Sequence, residues 1–130
     1  MLFRSIVGED TVRGRKTWAL ECAPRPNYFP ANEHEKEVLV FRKKFWIDQA
    51  EAGLVRGIYM VAVEGTFARP GSSITFDFDK IDSETWYPIS LVLNISTNRQ
   101  KIFQPNVRTE CRMSNFHKFD VQSTITVVPQ

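Results

Sequence analysis

The stretch Ser73-Ile74-Thr75-Phe76-Asp77-Phe78-Asp79-Lys80-Ile81 restricts the fold more than any other part of the chain. Ile74, Phe76 and Phe78 fall on one side of it, and Thr75, Asp77 and Asp79 on the other. A period of two with one apolar side is the pattern of an antiparallel strand buried on a single face. Upstream, Ile58-Tyr59-Met60-Val61-Ala62-Val63 is apolar on both faces, and Glu64-Gly65-Thr66-Phe67 follows it. The two runs are joined by Arg69-Pro70-Gly71-Ser72, in which Pro70 presets φ for a turn and Gly71 supplies a positive φ. A β-hairpin is expected here.

Further strands are expected over residues 2–7, 17–22, 38–46, 89–95 and 121–128. In the fourth of these, Ile89, Leu91, Leu93 and Ile95 repeat at every second position, so one face is core. Three prolines within residues 22–30 make that segment a loop. Residues 47–53 fit one helical turn closed by Gly53. Residues 104–120, with Pro105 and mixed charge, fit loop plus a short strand or a helical turn. Over residues 33–52, Val38, Phe41 and Phe45 also fit a helical period behind a Glu-rich start. The β-formers of Val38-Leu39-Val40-Phe41 and Phe45-Trp46-Ile47 favour a strand instead.

Many short strands between Gly/Pro turns predict an all-β fold, a small OB-like barrel or sandwich of antiparallel strands with a central Pro-Gly hairpin and few helical turns. The 130 residues make one domain, and 42% hydrophobic with 25% charged residues excludes a disordered or coiled-coil chain. No apolar run reaches the roughly 18 residues of a membrane helix. The opening MLFRSIVGED is too short and polar for a signal peptide, so a cytoplasmic location is expected, in a bacterial or phage-infected cell.

Catalytic patterns are poor. The chain has two histidines and no GxSxG, HExxH, P-loop or GxGxxG motif. Cys22 and Cys111 lie far apart without metal-ligand spacing, and are expected to be reduced, partly buried thiols. Cys111 with His117 makes a poor thiol–imidazole pair on spacing alone. Asp77 and Asp79 share a strand face and suit a cation or paired carboxylates, but an exposed polar face is the simpler reading. No enzyme, cofactor or metal site is expected.

Basic residues interleaved with aromatics carry more information. If residues 38–46 form a strand, Leu39, Phe41, Phe45 and Ile47 share a core face with Lys43, and Arg42, Lys44 and Trp46 face outward. Arg13-Gly14-Arg15-Lys16-Thr17-Trp18 is a second cluster and Phe67-Ala68-Arg69 at the hairpin tip a third. Phe116-His117-Lys118-Phe119 is a weaker fourth. Cations beside rings suit a single-strand binder: Arg13, Arg15, Lys16, Arg42, Lys44 and Arg69 for phosphates, and Trp18, Trp46 and Phe67 for bases.

The run Glu51-Ala52-Gly53-Leu54-Val55-Arg56-Gly57-Ile58-Tyr59-Met60-Val61, the Pro-Gly turn and Ile74-Thr75-Phe76-Asp77-Phe78-Asp79 resemble filamentous-phage single-stranded DNA-binding proteins, which pair a Gly-x-Tyr-x-Val strand with such a hairpin. The resemblance spans residues 1–81 at most. It implies an OB-like barrel, a homodimer or larger homo-oligomer, that coats single-stranded DNA, or RNA, without catalysis. The alternative is an all-β structural or assembly protein of virion type acting through protein–protein interfaces. Its ordinary charge and ten Phe and three Trp suit that reading.

Overall fold

The computed structural model describes residues 2–63, 69–96, 106–117 and 122–129. Seven strands follow in order: β1 (Leu2–Val12), β2 (Arg15–Pro24), β3 (Phe41–Asp48), β4 (Leu54–Val61), β5 (Ser73–Lys80), β6 (Trp86–Ser96) and β7 (Asn106–Arg112). One helix, α1 (Glu33–Leu39), precedes β3. All seven strands join one antiparallel sheet in sequence order, so β1 and β7 are its edges and no pair closes it into a barrel. The fold is all-β, as the alternation requires.

The β4–β5 hairpin is the expected one. Met60 opposes Ser73, Gly57 opposes Phe76, and the Ser72 amide donates to the Arg69 carbonyl at 3.0 Å. Gly71 takes φ 101°, the left-handed value that a glycine at this turn position supplies freely. The β1–β2 hairpin is longer than expected because its turn is only two residues. Val12 opposes Arg15, and Arg13 and Gly14 take φ 46° and 78°, the geometry whose twist matches that of paired strands.

Residues 33–52 divide between the two readings. Asn32 Oδ1 accepts the Glu35 amide at 2.9 Å, and Glu35 Oε2 accepts the Ala31 amide at 2.7 Å. That capping exchange starts α1, and the strand begins at Phe41 instead of 38. The helical turn expected over residues 47–53 is a single bonded turn, in which the Ala52 amide donates to the Asp48 carbonyl at 2.9 Å. β3 runs on to Asp48, whose amide donates to the Gly53 carbonyl at 2.8 Å, and Ala52 adopts φ 56° in the tight return. The strand expected at 121–128 does not form over the described residues 122–129, whereas β7 supplies the short strand allowed within 104–120.

The core lies on the side of β3 expected to face water. Trp46 (7% exposed), Val12, Ala19 and fully buried Val55 cluster there, with Ile58 and Trp86 against them. Register explains the placement: Ala19 and Arg56 oppose Trp46 on the two adjacent strands, and the register shift after Trp46 leaves Val55 without a pair on β3. The tip of the β1–β2 hairpin curls over this side, bringing Arg13 to the backbone of Val55 and Phe78.

Gly53 marks the tightest packing. A Cβ there would overlap the Trp86 indole ring, so the ring would have to shift from its packing against the core cluster. Gly53→Ala is therefore expected to cost about 1–3 kcal/mol, read as a lowered urea midpoint with unchanged slope.

Candidate interaction surfaces

The cations and rings expected to bind nucleic acid are distributed over both faces of the sheet, and several are already engaged. Arg13 Nη1 pairs with Asp77 Oδ1 at 3.0 Å, and its other nitrogen donates to the Val55 carbonyl at 3.2 Å and to the Phe78 carbonyl. Arg15 pairs with Asp48 at 3.0 Å and Asp79 at 3.3 Å, and its guanidinium lies 4.8 Å from the Trp86 ring centroid. These two arginines, expected to contact phosphates, tie the hairpin tip to the sheet.

Trp46 is likewise a core residue and not a stacking platform. Its Nε1 donates to Asp10 Oδ2 at 3.0 Å, and Lys44 Nζ sits 4.9 Å from the centre of its ring. The physical reason is the curl of β1 over β3, which covers a face that alternation alone leaves open. Lys16 and Arg42 are exposed, and Trp18 is 39% exposed on the opposite side of the sheet from Trp46. Arg69 is exposed at the Pro-Gly turn, where its amide donates to the Ser96 carbonyl at 3.0 Å. Phe67 lies outside the described residues.

Asp77 and Asp79 are bridging carboxylates, neither a vacant pair nor a solvated face. Asp77 is the centre of the network: Arg56 Nε and Nη2 donate to its two oxygens at 2.5 and 3.2 Å, and Ser90 Oγ donates at 3.3 Å. Burial alone raises the Asp77 pKa, but hydrogen bonds from Arg56 and the charges of Arg56 and Arg13 outweigh it and leave the pKa lowered. The same Asp77 hydrogen bonds raise the Arg56 pKa. Sequence reasoning missed Arg56, although its place between Val55 and Gly57 opposite an aspartate-bearing strand is the available signal. Asp10 is lowered by its hydrogen bonds from Trp46 and the Thr11 amide. Among the described residues no cluster of three His, Cys, Asp or Glu suits a metal ion. Cys22 is buried and Cys111 exposed, and both are free, which corrects the expectation of a partly buried Cys111.

The other face of the sheet is apolar. Register places Leu20, Phe45, Gly57, Phe76, Leu91 and Cys111 in one row across it, and Cys22, Lys43, Tyr59, Ile74, Leu93 and Thr109 in the next. Tyr59 is the hub of its aromatic cluster. It meets Phe41, Phe45 and Phe76 edge-to-face at 6.4, 5.9 and 6.1 Å, each at 83°. Lys43 Nζ lies 5.5 Å from the Tyr59 ring centre. Leu20, Cys22, Lys43, Phe45, Ile47, Leu54 and Tyr59 line a shallow concavity of about 440 Å³.

Phe41, Phe45, Tyr59, Ile74, Phe76, Leu91 and Leu93 are only half-buried. Each strand packs chiefly on its neighbours in the sheet, and α1 reaches β3, so among the described elements no second layer spans this face. No described helix is long and apolar enough to cross a membrane. No family model, curated protein or solved structure matches the chain, and its own surfaces are the basis for reading its function.

Proposed function

We propose that this chain is a structural, assembly-type protein that associates with copies of itself through the apolar face of its sheet. One observation carries the reading: the half-exposed field around Tyr59 sits on a sheet whose opposite face is already filled by the Trp46 core and the Asp77 ion pairs. A sheet ordinarily buries an apolar face beneath a second layer, and a second copy supplies one. Lys43, the charge placed centrally on that face, already lies over Tyr59 and presents its apolar stem there.

Light scattering at low and high salt tests this reading. An oligomer whose mass holds at high salt is the expected result, because salt does not screen apolar burial. A monomer at both salt concentrations overturns it.

Trp18 supports a second reading, single-stranded nucleic-acid binding of the filamentous-phage type. Its ring is 39% exposed, and Lys16 and Arg42 are exposed cations. Under that reading oligothymidine quenches Trp18 fluorescence at low salt and loses its grip as salt rises. Absence of quenching at low salt removes this second reading and leaves the first intact.

A further inference from the structure

Residues 122–129 carry Ile125, Val127 and Val128 into solvent at 89%, 82% and 79% exposure, and belong to no strand. Their sequence is unbroken β-former from Thr124 to Val128 and stops at Pro129. Such a run pairs with a sheet wherever an edge is available. In water its three large side chains forgo the stabilisation that burial brings.

An edge of matching pattern is present. β7 pairs with β6 and has no described strand on its other side. Val107, Thr109 and Cys111 oppose Ile95, Leu93 and Leu91 on the apolar face, while Arg108, Glu110 and Arg112 share the polar one. The tail repeats this division, with Ile125 and Val127 at one parity and Thr124 and Thr126 at the other. Laid beside β7, it extends the apolar face with Ile125 and Val127 and keeps its threonines on the polar side. β7 is seven residues long, and residues 122–128 cover it end to end.

We propose that residues 122–129 of one copy add as an eighth strand to β7 of a second copy. Beyond Arg112 the chain keeps to the flank of β6: the Met113 amide donates to the Ile89 carbonyl at 2.9 Å, and Phe116 lies 5.6 Å from Tyr87. Among the described residues nothing pairs with the outer edge of β7, and residues 122–129 form no strand on it. One copy thus carries both a strand without an edge and an edge without a strand, and exchange between copies satisfies both. The exchange rests on the self-assembly reading above and adds a second contact to it, at the β7 edge and separate from the face around Tyr59.

Cys111, exposed on β7, is a built-in reporter. In the full chain bearing Ser123→Cys or Val127→Cys, the positions that face Cys111 when the tail lies antiparallel or parallel to β7, mild oxidation is expected to give a covalent dimer of twice 15.1 kDa, with peptide mapping that joins Cys111 to position 123 or 127. Thr126→Cys, at the other parity, is expected to crosslink several-fold less. Adding Cys111→Ser to the variant that crosslinks abolishes that link. A monomer with an internal link from Cys111 to position 123 or 127 overturns the exchange, because the tail then pairs with its own edge. An oligomer by light scattering that forms no such link overturns the exchange and leaves self-assembly standing. A chain that is monomeric by light scattering overturns both.

Discussion

Trp46→Ala is expected to destabilise the protein by about 3–5 kcal/mol, the range for removing a large ring from a packed core. Trp46 is 7% exposed against Val12, Ala19 and Val55, so truncation opens a cavity where the hairpin tip meets the sheet. It also removes the donor that holds Asp10 from β1 against β3. Small domains have only about 5–15 kcal/mol in total, so the variant sits close to unfolding at ordinary temperature. Urea denaturation followed by far-UV circular dichroism measures the loss. Trp46→Phe keeps most of the ring without the hydrogen bond and is expected to fall between wild type and Trp46→Ala. An exposed platform behaves differently: its truncation leaves stability unchanged.

Asp77→Ala is expected to cost about 2–3 kcal/mol, below the 3–5 kcal/mol of a fully buried pair because water reaches part of the site. Asp77 is 16% exposed and receives Arg13, Arg56 and Ser90, so its loss strands two guanidinium groups at once. The carboxylate also gives stability a pH dependence. Its pKa in the folded protein is lowered from 3.8. Its contribution is therefore complete above the unfolded value and disappears as pH falls through 3.8 toward the lowered folded value. Asp10, Glu35 and Glu110 are lowered too and act with the same sign. Urea midpoints from neutral pH down to about pH 3 should fall steeply for wild type. Asp77→Asn removes part of that fall, and an identical acid profile for the two proteins contradicts the role given to the Asp77 carboxylate.

The strands were legible where local chemistry and period agree. Ile74, Phe76 and Phe78 alternate against polar neighbours, and Pro70-Gly71 can only be a turn, so the β4–β5 hairpin follows from local rules. The helix α1 was less legible because the β-formers at residues 38–41 outweighed the start signal of Asn32 followed by Glu35. Alternation also announces two faces for β3 without saying which is covered. Its answer depends on β1, whose register shift between Ile6 and Gly8 helps bend the hairpin over Trp46.

Ion pairing was the least legible feature. Arg13 and Arg15 read as free basic residues because their partners, Asp77, Asp79 and Asp48, come from other strands that only the folded sheet brings near. The tail illustrates the converse. Thr124 to Val128 has every local property of a strand, yet among the described residues it pairs with none. β-propensity expresses fit to a neighbouring strand, so the local pattern alone does not make one.

Sedimentation equilibrium of wild type beside Ile74→Glu tests the working face most directly. Ile74 lies on the apolar face between Tyr59 and Leu93, its partners on the two adjacent strands. Wild type is expected to be an oligomer and Ile74→Glu a species of clearly lower mass with an unchanged far-UV spectrum, because the charge strikes the interface and not the core around Trp46. Equal masses for the two folded proteins, whether both monomeric or both assembled, contradict association through this face.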